Sequence, residues 1–311
     1  MACKVSSLLS AALLALSLGY PVSYSLAQEA AAQLVEPMHR TENNPGAGQP
    51  VAQQPAAVPA QLAARIAPPS AAGPLDLAPI NGEHPLMPAV RMAKDGLVRI
   101  DSSIADYSAM LIKEERIAGT LNPKEVAFIK VRHQPFSVYC YFLQPHKGRE
   151  CLYNDGPSAS KGLLVARDCG LRRRLGKFEL DPEGRLAMAG QKYPIMKLGV
   201  RNLMAELAMV GENDVKFGEC EVQTKQSSIN GRGATLIEVV HPIPRQNFRF
   251  YKAEIFIDNE TKLPVRYAAY MWPANPGEQP PLEEAYTYLN LKVNNGYTDA
   301  DFDKNNTEYF K

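Results

Sequence analysis

The sequence has no Gly-x-Ser-x-Gly elbow, no Cys-x-x-Cys pair, a formal net charge of only +1 and no apolar run long enough to span a bilayer. Each absence removes a class of function. Without the strained strand-to-helix elbow, a serine nucleophile of the hydrolase kind has no place to sit. Cysteines this far apart do not form the close ligand pairs of structural zinc or of a dithiol redox site. Near-neutrality across 311 residues leaves no electrostatic case for nucleic acid along the whole chain. The apolar stretch at residues 8–18 falls short of the roughly 20 residues a membrane helix needs.

That stretch fits a secretory signal instead. Lys4 supplies a basic start, residues 8–18 an apolar core, and Ser25-Leu26-Ala27 a small-x-small cleavage site. Residues 1–27 are therefore expected to leave on export, with the chain continuing from Gln28 in the periplasm or outside the cell and no transmembrane segment remaining. Gln28, not a cysteine, stands directly after the cut, so no lipid anchor is expected there. Residues 28–85 are Ala, Pro and Gln rich, with prolines from Pro37 to Pro85 interrupting any regular element. Such a segment cannot bury enough apolar surface to offset its ordering entropy, and it reads as a disordered Pro/Ala-rich tether.

The folded part is expected over residues 86–311. Val90, Ala93, Leu97, Ile100 and Ile104 recur at steps of three and four, one face of a helix, with Arg91, Lys94, Asp95 and Arg99 off that face. After Asp106 the period becomes two. Residues 107–116, 125–132, 137–143, 150–153 and 162–166 read as strands joined by turns carrying Pro and Gly. A second helix follows Tyr193-Pro194, with Val200, Leu203, Met204, Leu207, Ala208 and Val210 on one side and Gly211 as its stop. Strands then return at 215–224, 234–241, 251–257, 265–272 and 285–293. Many strands in succession with two embedded helices predict an α+β fold built on one large curved antiparallel sheet.

The hairpin at residues 135–155 is the centre of this reading. Removing Cys3 with the signal leaves Cys140, Cys151, Cys169 and Cys220 in an oxidising compartment, and four thiols allow three pairings. Cys140 and Cys151 mirror each other about the turn, which favours a disulfide between them and leaves Cys169 with Cys220. Tyr139, Tyr141 and Leu143 share one strand face and Val138, Cys140 and Phe142 the other. Both are apolar, so one meets the core and the other needs a second cover.

The run DYSAMLIKEERIAGTL, the hairpin KVRHQPFSVYCYFLQPHKGRECLY, then LDPEGRLAM, YPIMKLG and DFDKNNTEY resemble an uncharacterised family of exported bacterial domains of unknown function, family 1571, over residues 86–311. The element order and the strand pair IFIDNETKLPVRYAAYMW are also similar to the LolA and LolB lipoprotein-carrier superfamily and the RseB-like sensor domain. That resemblance implies an incomplete β-barrel with helices covering its concave face, and an apolar cavity for acyl chains or for a partner's hydrophobic segment. Leu203 and Leu207 on the helix, with Phe128, Tyr139, Tyr141, Leu143, Tyr270 and Trp272 on the strands, are expected to line it.

Catalytic and metal signals are thin. His133, His146 and His241 lie in the folded part, the first and last beside strand ends and His146 in the hairpin turn. Asp299-x-Asp301-x-Asp303 starts like a calcium loop, but Lys304 and Phe310 stand where the glycine and the bidentate glutamate belong, so a structural turn is expected. Glu114-Glu115-Arg116 and Arg172-Arg173-Arg174 read as solvated charge runs, the latter also suiting an anionic lipid headgroup. Asn259-Glu260-Thr261 matches a glycosylation sequon within a hairpin turn. The expected function is a non-enzymatic exported domain holding a lipid or acyl chain, without cofactor or metal. An envelope-protein interaction or sensor module with a filled cavity is the alternative, and an envelope hydrolase the third reading.

Overall fold

The computed structural model describes residues 75–156 and 162–311. The expected signal segment and the tether up to residue 74 lie outside them. Ordered contacts begin ahead of residue 86: Leu75 and Leu77 pack against the core, and His84 Nε2 donates to the Phe217 carbonyl at 2.9 Å.

Helix α1 (Met87–Ser103) leads into β1 (Asp106–Ile117), β2 (Thr120–Leu121), β3 (Glu125–Arg132), β4 (Ser137–Gln144), β5 (Glu150–Asn154), β6 (Leu164–Arg167) and β7 (Phe178–Leu180). Helix α2 (Val200–Asp214) separates these from β8 (Glu221–Ile229), β9 (Arg232–Val240), β10 (Lys252–Asp258), β11 (Pro264–Tyr270) and β12 (Leu282–Val293). The architecture is the expected α+β one. Two meanders join where β12 pairs with β1, giving the order β7-β6-β5-β4-β3-β1-β12-β11-β10-β9-β8 with β2 beside β1. The edges β7 and β8 do not pair, so the sheet is not closed into a barrel.

Both helices pack on one sheet face. Val90, Ala93 and Ile100 of α1 and Met204 and Ala208 of α2 meet Ile237, Val239, Ala253 and Ile255, as the spacing of three and four requires. The helices approach each other closely because small residues lie between them. A Cβ on Gly211 would stand 2.7 Å from Val90 Cγ2, and one on Gly96 2.7 Å from Met204 Cε. Gly211 is thus not the helix stop expected of it: α2 runs on to Asp214, and the next strand starts at Glu221 rather than 215. Gly211→Ala is expected to destabilise the protein by about 1 kcal/mol in urea unfolding, an overpacking cost of about 1–3 kcal/mol exceeding the gain of about 1 kcal/mol in helix propensity. In a Val90→Ala background the same change becomes neutral or stabilising; the same penalty in both backgrounds would refute the contact as its cause.

A second cluster places Tyr107, Ile129, Val138, Cys140 and Tyr288 against Val200 at the start of α2. The buried Tyr107 hydroxyl accepts the Val200 N–H at 3.1 Å, satisfying one of the helix's first-turn donors. Gly199 makes this approach with φ +117°, and a Cβ there would lie 2.8 Å from Tyr107 Oη. A glycine is required on both counts.

The hairpin's other face is covered by the chain's own C-terminal segment. Tyr139, Leu152 and Val165 pack against Phe302, Tyr309 and Phe310, with Tyr309 stacked on Tyr139 at 3.8 Å between ring centroids. Buried Glu150 ties the layers together, accepting the Tyr139 hydroxyl at 2.8 Å and the Phe310 N–H at 2.6 Å and pairing with Arg173 at 3.1 Å.

The expected disulfides are not formed: Cys140, Cys151, Cys169 and Cys220 are free thiols. The register does set Cys140 opposite Cys151 across β4 and β5. Contact with that thiol and burial push Cys140 well above the usual range. Cys169 follows β6 and Cys220 precedes β8, near opposite ends of the strand order, so no register brings the second pair together.

Candidate functional site: an apolar cavity with polar ends

A cavity of about 1340 Å³ lies between the helices, the sheet face they pack on and residues 178–199. Alternation in the strands decides its chemistry. Along β1, Leu111, Lys113 and Glu115 occupy successive positions on the cavity face, so the wall passes from apolar to charged within one strand. Ala127 and Phe142 continue the apolar wall on one side, Ile237, Ile255 and Ala269 on the other, and Leu203 and Leu207 form the helical wall.

The charged end is paired within itself, two lysines against four carboxylates. Glu115 accepts the Tyr286 hydroxyl at 2.7 Å and the Lys192 N–H at 3.0 Å. Lys113 lies 2.8 Å from Glu125 and 3.4 Å from Glu115. Lys192 reaches Glu283 at 2.7 Å and Glu284 at 3.0 Å, and Tyr193 donates to Glu284 at 3.0 Å. Burial and the neighbouring carboxylates push the Tyr286 hydroxyl far above its ordinary range, so it remains a donor. Such a network lines one end of the space without presenting a nucleophile. Glu115 departs from the solvated run expected of residues 114–116: its side chain is 4% exposed. The period-two phase shared by Tyr107, Leu111 and Glu115 was the signal that could have placed it inside.

A further polar feature of the lining is a buried carboxylate. Asp214 Oδ2 faces His241 Nε2 at 3.4 Å, and neither atom has a hydrogen-bonding partner. His241 is not the edge histidine expected. It is fully buried, stacked on Phe248 at 4.0 Å, with Nδ1 3.2 Å from the Phe250 carbonyl. Burial raises the Asp214 carboxyl to about 6 and lowers His241. One step beyond the Glu221–Val240 pair, Cys220 stands opposite His241. The three residue types are those of a cysteine nucleophile site, but the geometry is not. Both ring nitrogens are directed elsewhere, and burial raises the Cys220 thiol to about 12, so no thiolate forms.

Of the residues expected to line the cavity, Leu203 and Leu207 do. The expected strand residues are not among those that line this cavity. Phe128 pairs across strands with Tyr141, in phase with Tyr139 and out of phase with Ile129 and Cys140, so these three stand on the face toward the C-terminal segment, while Leu143 falls at the register shift of β4 and is not among the lining residues. Tyr270 bonds Glu254 at 3.1 Å on that same side of the sheet, and the Trp272 indole donates to the His241 carbonyl at 3.1 Å. The expected C-terminal turn forms at Asp299–Phe302. Its carboxylates diverge to protein cations, Asp299 to Arg132 at 2.7 Å and Asp301 to Lys130 at 3.5 Å. Among the described residues no three His, Cys, Asp or Glu side chains converge to hold a metal ion, and no helix is long and apolar enough to cross a membrane.

A family model described as a protein of unknown function (DUF1571) matches residues 104–310. No curated protein matches the chain. Similar solved structures include the Mycobacterium tuberculosis lipoprotein LppX, at 13% identity and TM-score 0.37 over 68% of this chain and 98% of that one. A LolA superfamily protein from Nitrosomonas europaea aligns at 12% identity and TM-score 0.26 over 68% and 97%. A DUF1329 family protein from Desulfovibrio piger aligns at 11% and 0.32 over 69% and 97%.

Proposed function

The chain belongs to the DUF1571 family of proteins of unknown function, and from the geometry of its cavity we propose that it is a non-enzymatic binding domain that holds an apolar ligand, a lipid or acyl chain, between sheet and helices. The volume of about 1340 Å³ carries this reading. It exceeds the roughly 300–1,000 Å³ of ordinary small-molecule pockets. Where Leu, Ile, Ala and Phe form its wall, the space gains little from holding water. A bound chain of about twelve methylenes loses contact with water worth about 10 kcal/mol before ordering costs are subtracted. The charged cluster around Glu115 and Lys192 lines one end, where its groups pair with one another.

An interaction module with a cavity filled by its own side chains leaves that volume without an account. A hydrolase lacks an ionised nucleophile near His241. Export to the cell envelope accords with residues 1–27, read as a signal. The test is lipid mass spectrometry on purified protein, with titration of a fluorescent fatty acid. Leu207→Arg, which sets a charge on the half-buried helical wall, is expected to weaken uptake about tenfold or more. Wild-type protein that carries no lipid and takes up no fatty acid would sink the proposal.

A further inference from the structure

Large apolar side chains are exposed together on one segment: Leu171 is 82% exposed, Leu175 68%, Phe178 42% and Leu186 74%. Isolated exposed leucines need no explanation, but a concentration in residues 171–186 does. The first half of this segment is cationic, while Glu179, Asp181 and Glu183 follow in the second half. Residues 170–178 carry Arg172, Arg173, Arg174 and Lys177 and no acid. Arg173 is committed to the fold through Glu150 and the Gly148 carbonyl, which fixes the segment on β5. Arg172 extends outward with its side chain 78% exposed, 3.7 Å from Asp168, and Arg174 is exposed. Arg172, Phe178 and Leu186 also line the cavity, so the patch forms part of its rim.

We propose that this rim segment docks on an anionic lipid bilayer, with Leu171, Leu175 and Leu186 entering the apolar boundary and Arg172 and Arg174 among the headgroups, Lys177 being held by the Lys304 carbonyl at 2.8 Å. Interleaved leucine and arginine match that boundary, where hydrocarbon and negative charge lie within a few ångströms of each other. An acidic protein surface answers the charge and leaves the leucines without a hydrocarbon phase. Docking here turns the cavity rim toward the membrane, yet it requires only the exposed segment and stands apart from the cavity's occupancy.

The test places a reporter in the segment. Leu175→Trp in the full chain adds a tryptophan at an exposed position to the single native Trp272, and circular dichroism checks that the fold is kept. On vesicles of phosphatidylcholine with roughly one third phosphatidylglycerol, its emission is expected to shift to the blue and to be quenched by brominated acyl chains. Arg174→Glu on that background is expected to weaken the response about tenfold or more, and added salt to weaken it further. Neither change alters fatty-acid uptake, whereas Leu207→Arg impairs uptake and still docks, so the two readings fail separately. No spectral shift and no quenching overturns the proposal. An equal response on pure phosphatidylcholine, or a response to polyglutamate in place of vesicles, overturns it as well.

Discussion

Phe302→Ala is expected to lower the unfolding free energy by about 3–5 kcal/mol, the cost of emptying a fully buried aromatic site. Phe302 is 0% exposed and sits where three supports of the C-terminal segment meet. Its ring packs edge-to-face with Tyr297 at 6.0 Å and lies under the Arg132 guanidinium at 5.0 Å. Its carbonyl accepts the Asn154 side-chain amide at 3.2 Å. Arg132 in turn pairs with Asp299 at 2.7 Å and donates to Ser137 at 3.0 Å, so the lost ring also loosens a buried cation. The segment is held to β4, β5 and β6 by few other large side chains, chiefly Tyr309 and Phe310. Urea unfolding with an unchanged m-value and a lower midpoint is the expected result. Phe302→Leu, which keeps most of the volume, should cost less than half as much. A loss below about 1 kcal/mol for the alanine variant would show that the segment is peripheral to the fold.

How much of this was legible in the sequence follows from how far each signal reaches along the chain. The helices and most strands were legible because periods of 3.6 and 2 are written into neighbouring residues. Leu203 and Leu207 were legible as one helical wall because α2 has a single apolar side, and its phase admits one answer. β4 has two apolar faces. The choice between Tyr139 and Cys140 as the cavity side is made by Tyr309, about 170 residues away in sequence, and no local pattern contains it. Glu115 is hidden for the same reason: its partners Lys192 and Tyr286 arrive from a loop and from the last strand. Gly211 looked like a stop because glycine ends many helices. Its use here, admitting Val90, belongs to the packing of a different helix.

Asp214→Asn is expected to change the dependence of stability on pH, gaining up to about 3 kcal/mol on wild type between pH 4 and 8. Asp214 is the last residue of α2, 2% exposed, where burial and the negative end of the helix dipole both oppose a carboxylate. Its folded pKa of about 6 lies above the ordinary 3.8. The folded state therefore binds the proton more tightly than the unfolded state. The stabilisation is complete below about pH 4 and is lost as pH rises through about 6. His241 slopes the other way. Burial lowers its pKa, so its contribution is present above about 6.5 and lost as pH falls. The two opposed slopes flatten the wild-type profile. Asn removes only the first, and its amide can donate toward His241 Nε2 as the neutral acid does. Arg249 acts on Asp214 in the opposite direction to burial, and His84 adds to the lowering of His241; both remain in the variant. Measured at pH 4, 6 and 8, the variant should match wild type at the first and exceed it increasingly at the others. Parallel profiles would mean that Asp214 stays ionised throughout, paired with a protonated His241 across the 3.4 Å that separates them.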